Sequence, residues 1–438
     1  MIIYEEELVV GSKVGFSKIS WFMWLVAVTF FAFQFVLRLF PGLVMTDIMG
    51  KFHIDATSFG VLSAAYYLGY AGMQIPIGIL LDRFSARTVV SFCAFTCTIG
   101  SLSFVYSDNW TLTLIGRFLI GAGSAAGLLG TVKTIRYAFP EKHFTGMMGL
   151  TFTFGLSGAL YGGKPVSLLI QQVGWVSVSK LLAALSLAIS IGLLLFFPRE
   201  AAQTKQETQT SQEPSTHLIE DLKSIFSNRK IIWLAIAGAL MVGPFESFAD
   251  VWGVSYLVNV YGFNKPDASL VTSGIYMGML IGGPVLPYIA EKFDIHYWVN
   301  AISGLLMAAI FGIVIFTEAT FSRTSLLGLM IFVGILCSYQ AVVFAMTCKL
   351  APSRLAGLVT SVTNCINMCA GCLFHFAIGY VMDLNWTGAT ENGIKVYEPS
   401  SYITAISLIP MTLVLGFLGF IWLNKQNLLT ASKAARTS

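Results

Sequence analysis

Apolar runs of about twenty residues alternate along the chain with short polar breaks. Runs of that length cross a hydrocarbon core as helices, whereas a membrane barrel would show short alternating segments. Twelve spans are expected, over 20–46, 57–81, 87–107, 111–137, 144–169, 176–197, 231–259, 268–290, 297–317, 324–349, 355–382 and 401–424. One long polar interval interrupts them, 199–230, which contains EAAQTKQETQTSQEPST. It is too polar to bury a core, so a flexible cytoplasmic linker is expected between an N-terminal six-helix bundle (1–198) and a C-terminal one (231–438).

Composition agrees. The 438 residues are 56% hydrophobic and only 11% charged, with a mean hydropathy of +0.75. Soluble domains carry roughly 25% charged residues, which excludes a soluble fold. Most Lys and Arg outside the spans fall on the side of the N-terminus, and only Lys51, Lys265, Arg323 and Lys395 fall on the other. The positive-inside rule then places both termini in the cytoplasm of a cell whose inner (plasma) membrane the chain crosses. Seven cysteines, mostly within apolar runs, do not read as a disulfide framework. No phosphate-cradling loop, zinc-spaced His/Cys set or nucleophile constellation appears, so neither an enzyme nor an ATP-driven pump is expected. Nor are a cofactor, a resident metal or a nucleic-acid partner expected.

The halves repeat. Tyr67–Phe84, YLGYAGMQIPIGILLDRF, slides by 209 positions onto Tyr276–Phe293, YMGMLIGGPVLPYIAEKF. Tyr67 then meets Tyr276, Gly69 meets Gly278, Asp82 meets Glu291, Arg83 meets Lys292 and Phe84 meets Phe293. Repeated halves are the architecture of alternating-access transporters.

Within that repeat, GILLDRFSAR (Gly78–Arg87) resembles the signature loop of the major facilitator superfamily, G-x-x-x-D-[RK]-x-G-[RK]-[RK]. Gly78, Asp82, Arg83 and Arg87 match it, while Ser85 and Ala86 depart from it. The resemblance implies twelve helices in two pseudo-symmetric six-helix bundles, an all-α membrane protein that is not an enzyme. It further implies that Gly78, Asp82, Arg83 and Arg87, with the degenerate copy at Glu291 and Lys292, latch the halves in the outward-open state. RFLIGAGSAAG (Arg117–Gly127) is similar to a second motif of the family, in which small residues let helices approach closely. Gly158-Ala159-Leu160-Tyr161-Gly162-Gly163 lacks the proline that drug/proton antiporters of the family carry there, which counts against a drug exporter.

Arg38 stands near the end of the first apolar run, in FQFVLRLFPG. An intramembrane charge is costly and faces a cavity or a partner, unless it snorkels to the surface. A guanidinium fork presents paired donors to a carboxylate or phosphate. Its spacing to Asp82 resembles the organic-anion branch of the family, which includes sialin-like carriers, and that resemblance implies an arginine that binds the substrate anion. Nearer to Arg38 the repeat shifts its offset: Phe52-His53-Ile54-Asp55 resembles Phe263-Asn264-Lys265-Pro266-Asp267 at 211 to 212, and moving Arg38 by that amount lands on Ala249 or Asp250, with Glu246 one turn before Asp250 on the same face. Glu246 and Asp250 are candidates for proton coupling or for a substrate ammonium; a structural ion pair with Arg38, Arg117 or Lys164 stays open beside these. Tyr66, Tyr70, Gln74, Arg117, Tyr276 and Asn364 are candidate substrate contacts, against the alternative of simple packing. Cys365, Cys369, Cys372 and His375 form a stripe read as helix packing rather than a metal site.

The expected function is secondary active transport of a small organic anion or zwitterion, of the carboxylate, amino acid or peptide class. The chain would act as a monomer in the lipid bilayer, with protons as the coupling ion. Export of a siderophore or drug, and a non-transporting membrane sensor, are the alternatives.

Overall fold

The computed structural model describes residues 18–197, 218–317, 321–391 and 393–437. The first half contains α1 (Lys18–Leu43), α2 (Met45–Phe52), α3 (Ala56–Arg83), α4 (Ala86–Tyr106), α5 (Trp110–Ser124), α6 (Ala126–Ala138), α7 (Phe144–Gly162), α8 (Lys164–Val173) and α9 (Trp175–Phe196). The second contains α10 (Leu218–Ser227), α11 (Arg229–Ser247), a π-helical turn (Phe248–Trp252), α12 (Gly253–Tyr261), α13 (Lys265–Lys292), α14 (His296–Phe316), α15 (Arg323–Cys337), α16 (Tyr339–Lys349) and α17 (Ala356–Leu384). A two-stranded hairpin, β1 (Thr390–Glu391) against β2 (Ile394–Lys395), precedes α18 (Pro399–Ile406) and α19 (Leu408–Thr437).

Among the described residues, eleven helical stretches are long and apolar enough to cross a membrane, several of them made of two helices in line. The remaining membrane helix is α7, rich in glycine and hydroxyl residues, continued by α8 after Gly163. These are the twelve helices of the expected all-α fold.

The repeat is visible in the helices themselves. α3 and α13 are each 28 residues long, α4 and α14 each 21, and α5 and α15 each 15. Several helices begin on an acceptor side chain that caps the first turn: Asp55 takes the N–H of Ser58 at 2.9 Å, Asn264 that of Asp267 at 2.8 Å, and Asn109 that of Leu112 at 3.2 Å. Gly121, in the second sequence motif, shows why small residues recur: a Cβ there would lie 1.9 Å from the Tyr66 carbonyl oxygen, so α3 and α5 pack backbone to backbone.

Most of the expected linker falls on residues outside the described set. Its end is helical. α10 buries Ile225 against Leu355, Val359 and Val362, and Asp221 pairs with Arg354 at 2.9 Å. An amphipathic turn pattern inside an otherwise polar stretch accounts for this, and composition averaged over the stretch hides it.

Below, the face on which α1 begins is called proximal and the opposite face distal.

Candidate functional site

The site is built around a proline. Pro41 lies inside α1 and has no N–H to give to the Leu37 carbonyl. Arg117 of α5 takes that carbonyl at 2.7 Å through Nη1 and the Arg38 carbonyl at 2.8 Å through Nη2. Its guanidinium also lies over the Tyr66 ring, 4.7 Å from the centroid. The Tyr66 hydroxyl donates to Gln34 one turn before Arg38, at 2.6 Å. The backbone that carries Arg38 is therefore fixed from two sides.

On α11 a second proline, Pro244, precedes the wide turn Phe248–Trp252, closed by the Gly253 N–H on the Phe248 carbonyl. Wide turns of this kind occur at functional sites because they re-aim side chains. Here the turn delivers Asp250 to the first half. Arg38 Nε donates to Asp250 Oδ2 at 2.5 Å, and Arg38 Nη2 lies 3.0 Å from Glu246 Oε1. Arg38 Nη2 also donates to the Tyr67 hydroxyl at 2.7 Å, with the guanidinium 4.8 Å from that ring's centroid. The Tyr67 and Tyr276 hydroxyls both donate to Asp250, one to each oxygen.

The two acids are thereby distinguished. Asp250 is fully enclosed, with three donors. Glu246 keeps 11% of its side chain exposed and has one oxygen, Oε2, with no protein partner. The cation and the acid that the repeat places on equivalent positions meet each other across the halves.

Of the predicted contacts, Tyr276 joins this cluster directly. Tyr66 and Tyr70 stack 6.1 Å apart beside it, both buried, and Gln74 is buried one turn farther toward the proximal end. Asn364 is half-buried on α17. Arg117 is 1% exposed, and its terminal nitrogens hold the α1 backbone that carries Arg38. Tyr67, the repeat mate of Tyr276 and like it a polar-tipped residue that could orient substrate, joins the cluster as well, and both clasp Asp250. The cysteine stripe disperses. Cys365 donates to the Ala71 carbonyl at 3.3 Å, Cys369 is exposed, and the His375 ring packs on Tyr67 at 4.8 Å.

The predicted latch residues engage partners within their own halves. Both Arg87 donors reach the Phe197 carbonyl, at 2.8 and 2.5 Å. Glu291 pairs with Lys349 at 2.9 Å and His296 at 3.0 Å, and Lys292 lies over the Tyr288 and Phe293 rings. Arg83 is exposed, Gly78 has open space where a Cβ would stand, and the side chain of Asp82 is outside the described set.

Cross-half contacts instead gather on the distal face, where no latch was expected. Lys265 reaches Asp47 at 3.2 Å and Lys164 reaches Asp267 at 3.4 Å. Lys395 reaches Asp55 at 3.4 Å and its own half's Asp383 at 2.9 Å. Asp383 accepts from the Thr57 N–H at 2.7 Å and from the Thr57 hydroxyl, and the Tyr397 hydroxyl accepts from the Ala56 N–H at 2.9 Å. Asp55 caps the start of α3 and Asp267 lies in the first turn of α13, so two of these bridges tie the start of a helix on this face to the other half.

Comparison with known proteins gives a consistent result. The family model described as Major Facilitator Superfamily matches residues 22–375. A Bacillus subtilis (strain 168) protein called "Uncharacterized transporter YybO" is 22% identical over 389 residues, 84% of this chain and 88% of that one. "Probable galactarate/D-glucarate transporter GudP" of the same organism is 24% identical over 405 residues, covering 85% of this chain and 87% of its own. Among solved structures, a bacterial homolog to the human lysosomal transporter Spinster, in an inward-facing and unoccupied conformation, superposes with a TM-score of 0.73 at 16% identity. That match covers 94% of this chain and 96% of the other and speaks for the fold.

Proposed function

The chain belongs to the major facilitator superfamily and is a multi-pass membrane transporter; on that premise we propose that it moves a small organic anion or zwitterion of the carboxylate class by alternating access, coupled to protons. The bodies that rock are 1–198 and 231–438, one chain supplies both, and a monomer in the inner membrane with cytoplasmic termini suffices. The observation that carries the reading is the buried Arg38 held between Glu246 and Asp250 of the opposite half. A guanidinium already oriented for oxygen pairs is a ready carboxylate anchor.

The two acids take different parts. Asp250, held by Arg38, Tyr67 and Tyr276, fixes the fork and ties the halves. Glu246 touches only one terminal nitrogen of Arg38 and is the side a substrate carboxylate displaces. Glu246 is the group that takes up a proton once the cargo has left, which links cargo to the proton gradient. The relatives support the substrate class: one bears the name of a galactarate/D-glucarate transporter.

The test is substrate-induced thermal stabilisation of the purified protein across amino acids, dipeptides, mono- and polycarboxylates and sugar acids, with Arg38→Ala alongside. One class is expected to stabilise the wild type and to lose its effect in the variant. Equal stabilisation of both proteins overturns Arg38 as the anchor. In proteoliposomes, a pH gradient is expected to drive uptake by the wild type and not by Glu246→Gln; accumulation by both removes Glu246 from coupling.

A further inference from the structure

Among the described residues of the second half, Trp252, Ser273 and Asn300 bury polar atoms without a protein partner, and so do three groups on α11 and α17. Glu246 Oε2 is one, Asn367 Oδ1 another, and His375 offers both ring nitrogens. Asn367 and His375 are 3% and 0% exposed. Buried polar atoms are ordinarily hydrogen-bonded, so three such groups together call for a reason.

Their placement supplies it. Asn367, Gly371 and His375 are successive fourth residues on α17 and share one face of that helix. Gly371 is the notch between them: a Cβ there would lie 2.7 Å from Tyr67 Cε1 and 3.5 Å from Glu246 Oε2. The His375 ring packs on Tyr67, whose hydroxyl holds Arg38. Asn367 and His375 therefore lie on the face of α17 that Gly371 turns toward Tyr67 and Glu246, next to the Arg38 anchor. The unpartnered atoms of Glu246 and Asn367 are acceptor oxygens, and a neutral imidazole adds one acceptor and one donor.

Charge narrows the cargo further. Arg38 already faces two carboxylates, and Arg117 has its terminal donors on backbone carbonyls. Lys164 is occupied at the distal face by Asp267. A substrate carboxylate has one guanidinium to meet, and a second carboxylate would point toward Glu246 and Asp250.

We infer that Glu246, Asn367 and His375 form a donor-reading subsite, so that the cargo is a monocarboxylate whose other end carries hydroxyl or ammonium groups, and a second carboxylate is refused. This deepens the proposed function and rests on Arg38 as the anchor. A site built to pair with a substrate's O–H or N–H discriminates strongly against an analogue without it.

The test is equilibrium binding to the full-length protein in detergent, by calorimetry, of four six-carbon probes: gluconate, glucosaminate, glucarate and hexanoate. Gluconate or glucosaminate is expected to bind at least about tenfold more tightly than glucarate and hexanoate. Asn367→Leu and His375→Leu are expected to erase the preference over hexanoate, and Glu246→Gln to narrow the preference over glucarate. Size-exclusion profiles and binding of hexanoate show that each variant is folded. Glucarate binding as tightly as gluconate, or hexanoate doing so, overturns the subsite while leaving the anion reading intact. No binding by any of the four overturns the anion reading and the subsite together.

Discussion

At the distal end of the bundle Lys164, Lys265 and Lys395 reach across to acids of the other half. At the proximal end Arg87, Lys349 and Arg354 close on partners in their own. Both ends carry ample charge, and the signature loop that sequence points to lies at the proximal one. The difference teaches that charge alone does not make a latch; what matters is whether the pairing crosses the interface between halves. In this conformation the distal face is the fastened one.

The largest effect should come from making that fastening permanent. A Cβ on Gly163 would lie 3.4 Å from Ser273 Cβ, close to the roughly 3.5–4.5 Å separation found in disulfides. Gly163→Cys with Ser273→Cys is expected to cross-link on oxidation, to abolish transport and to recover it on reduction. Undiminished transport by fully cross-linked protein would refute a distal gate. A smaller effect is expected from weakening the fastening: Lys164→Ala with Lys395→Ala removes partly exposed pairs, each worth about 0.2–1 kcal/mol. Alkylation of a Ser273→Cys reporter by a water-soluble maleimide should quicken several-fold, and an unchanged rate would show these bridges to be ornamental. The smallest is the proximal counterpart: Lys349→Ala breaks a same-half pair with Glu291 and should alter that labelling rate by less than about twofold. A change as large as the distal one would erase the contrast between the ends.

Much of the fold is legible in the chain because the membrane imposes length and uniform apolarity on each helix, and the repeat supplies an internal alignment. Tyr67–Phe84 sliding onto Tyr276–Phe293 anticipates two helices of equal length. A second stretch of the repeat, Phe52–Asp55 against Phe263–Asp267 at an offset of 211 to 212, carries Arg38 to Ala249 or Asp250. Other features escape because no single-residue pattern encodes them. Arg117 looks like any intramembrane cation; only the carbonyl freed by Pro41 explains where it goes. The distal bridges join Lys164 to Asp267 and Lys395 to Asp55, pairs that are remote in sequence and ordinary in type. α2, the β-hairpin and α10 are short, and their local signals are submerged in the polar breaks around them.

Asp267 holds Lys164 across the interface at 3.4 Å and Arg323 within its own half at 3.0 Å. Asp383 likewise keeps the Tyr397 hydroxyl at 2.6 Å beside its bonds to Thr57. Under the proposed rocking of the halves, neither carboxylate would be left bare at this face: each would trade a borrowed partner for one it never released. Such a hand-over would lower the activation barrier to opening.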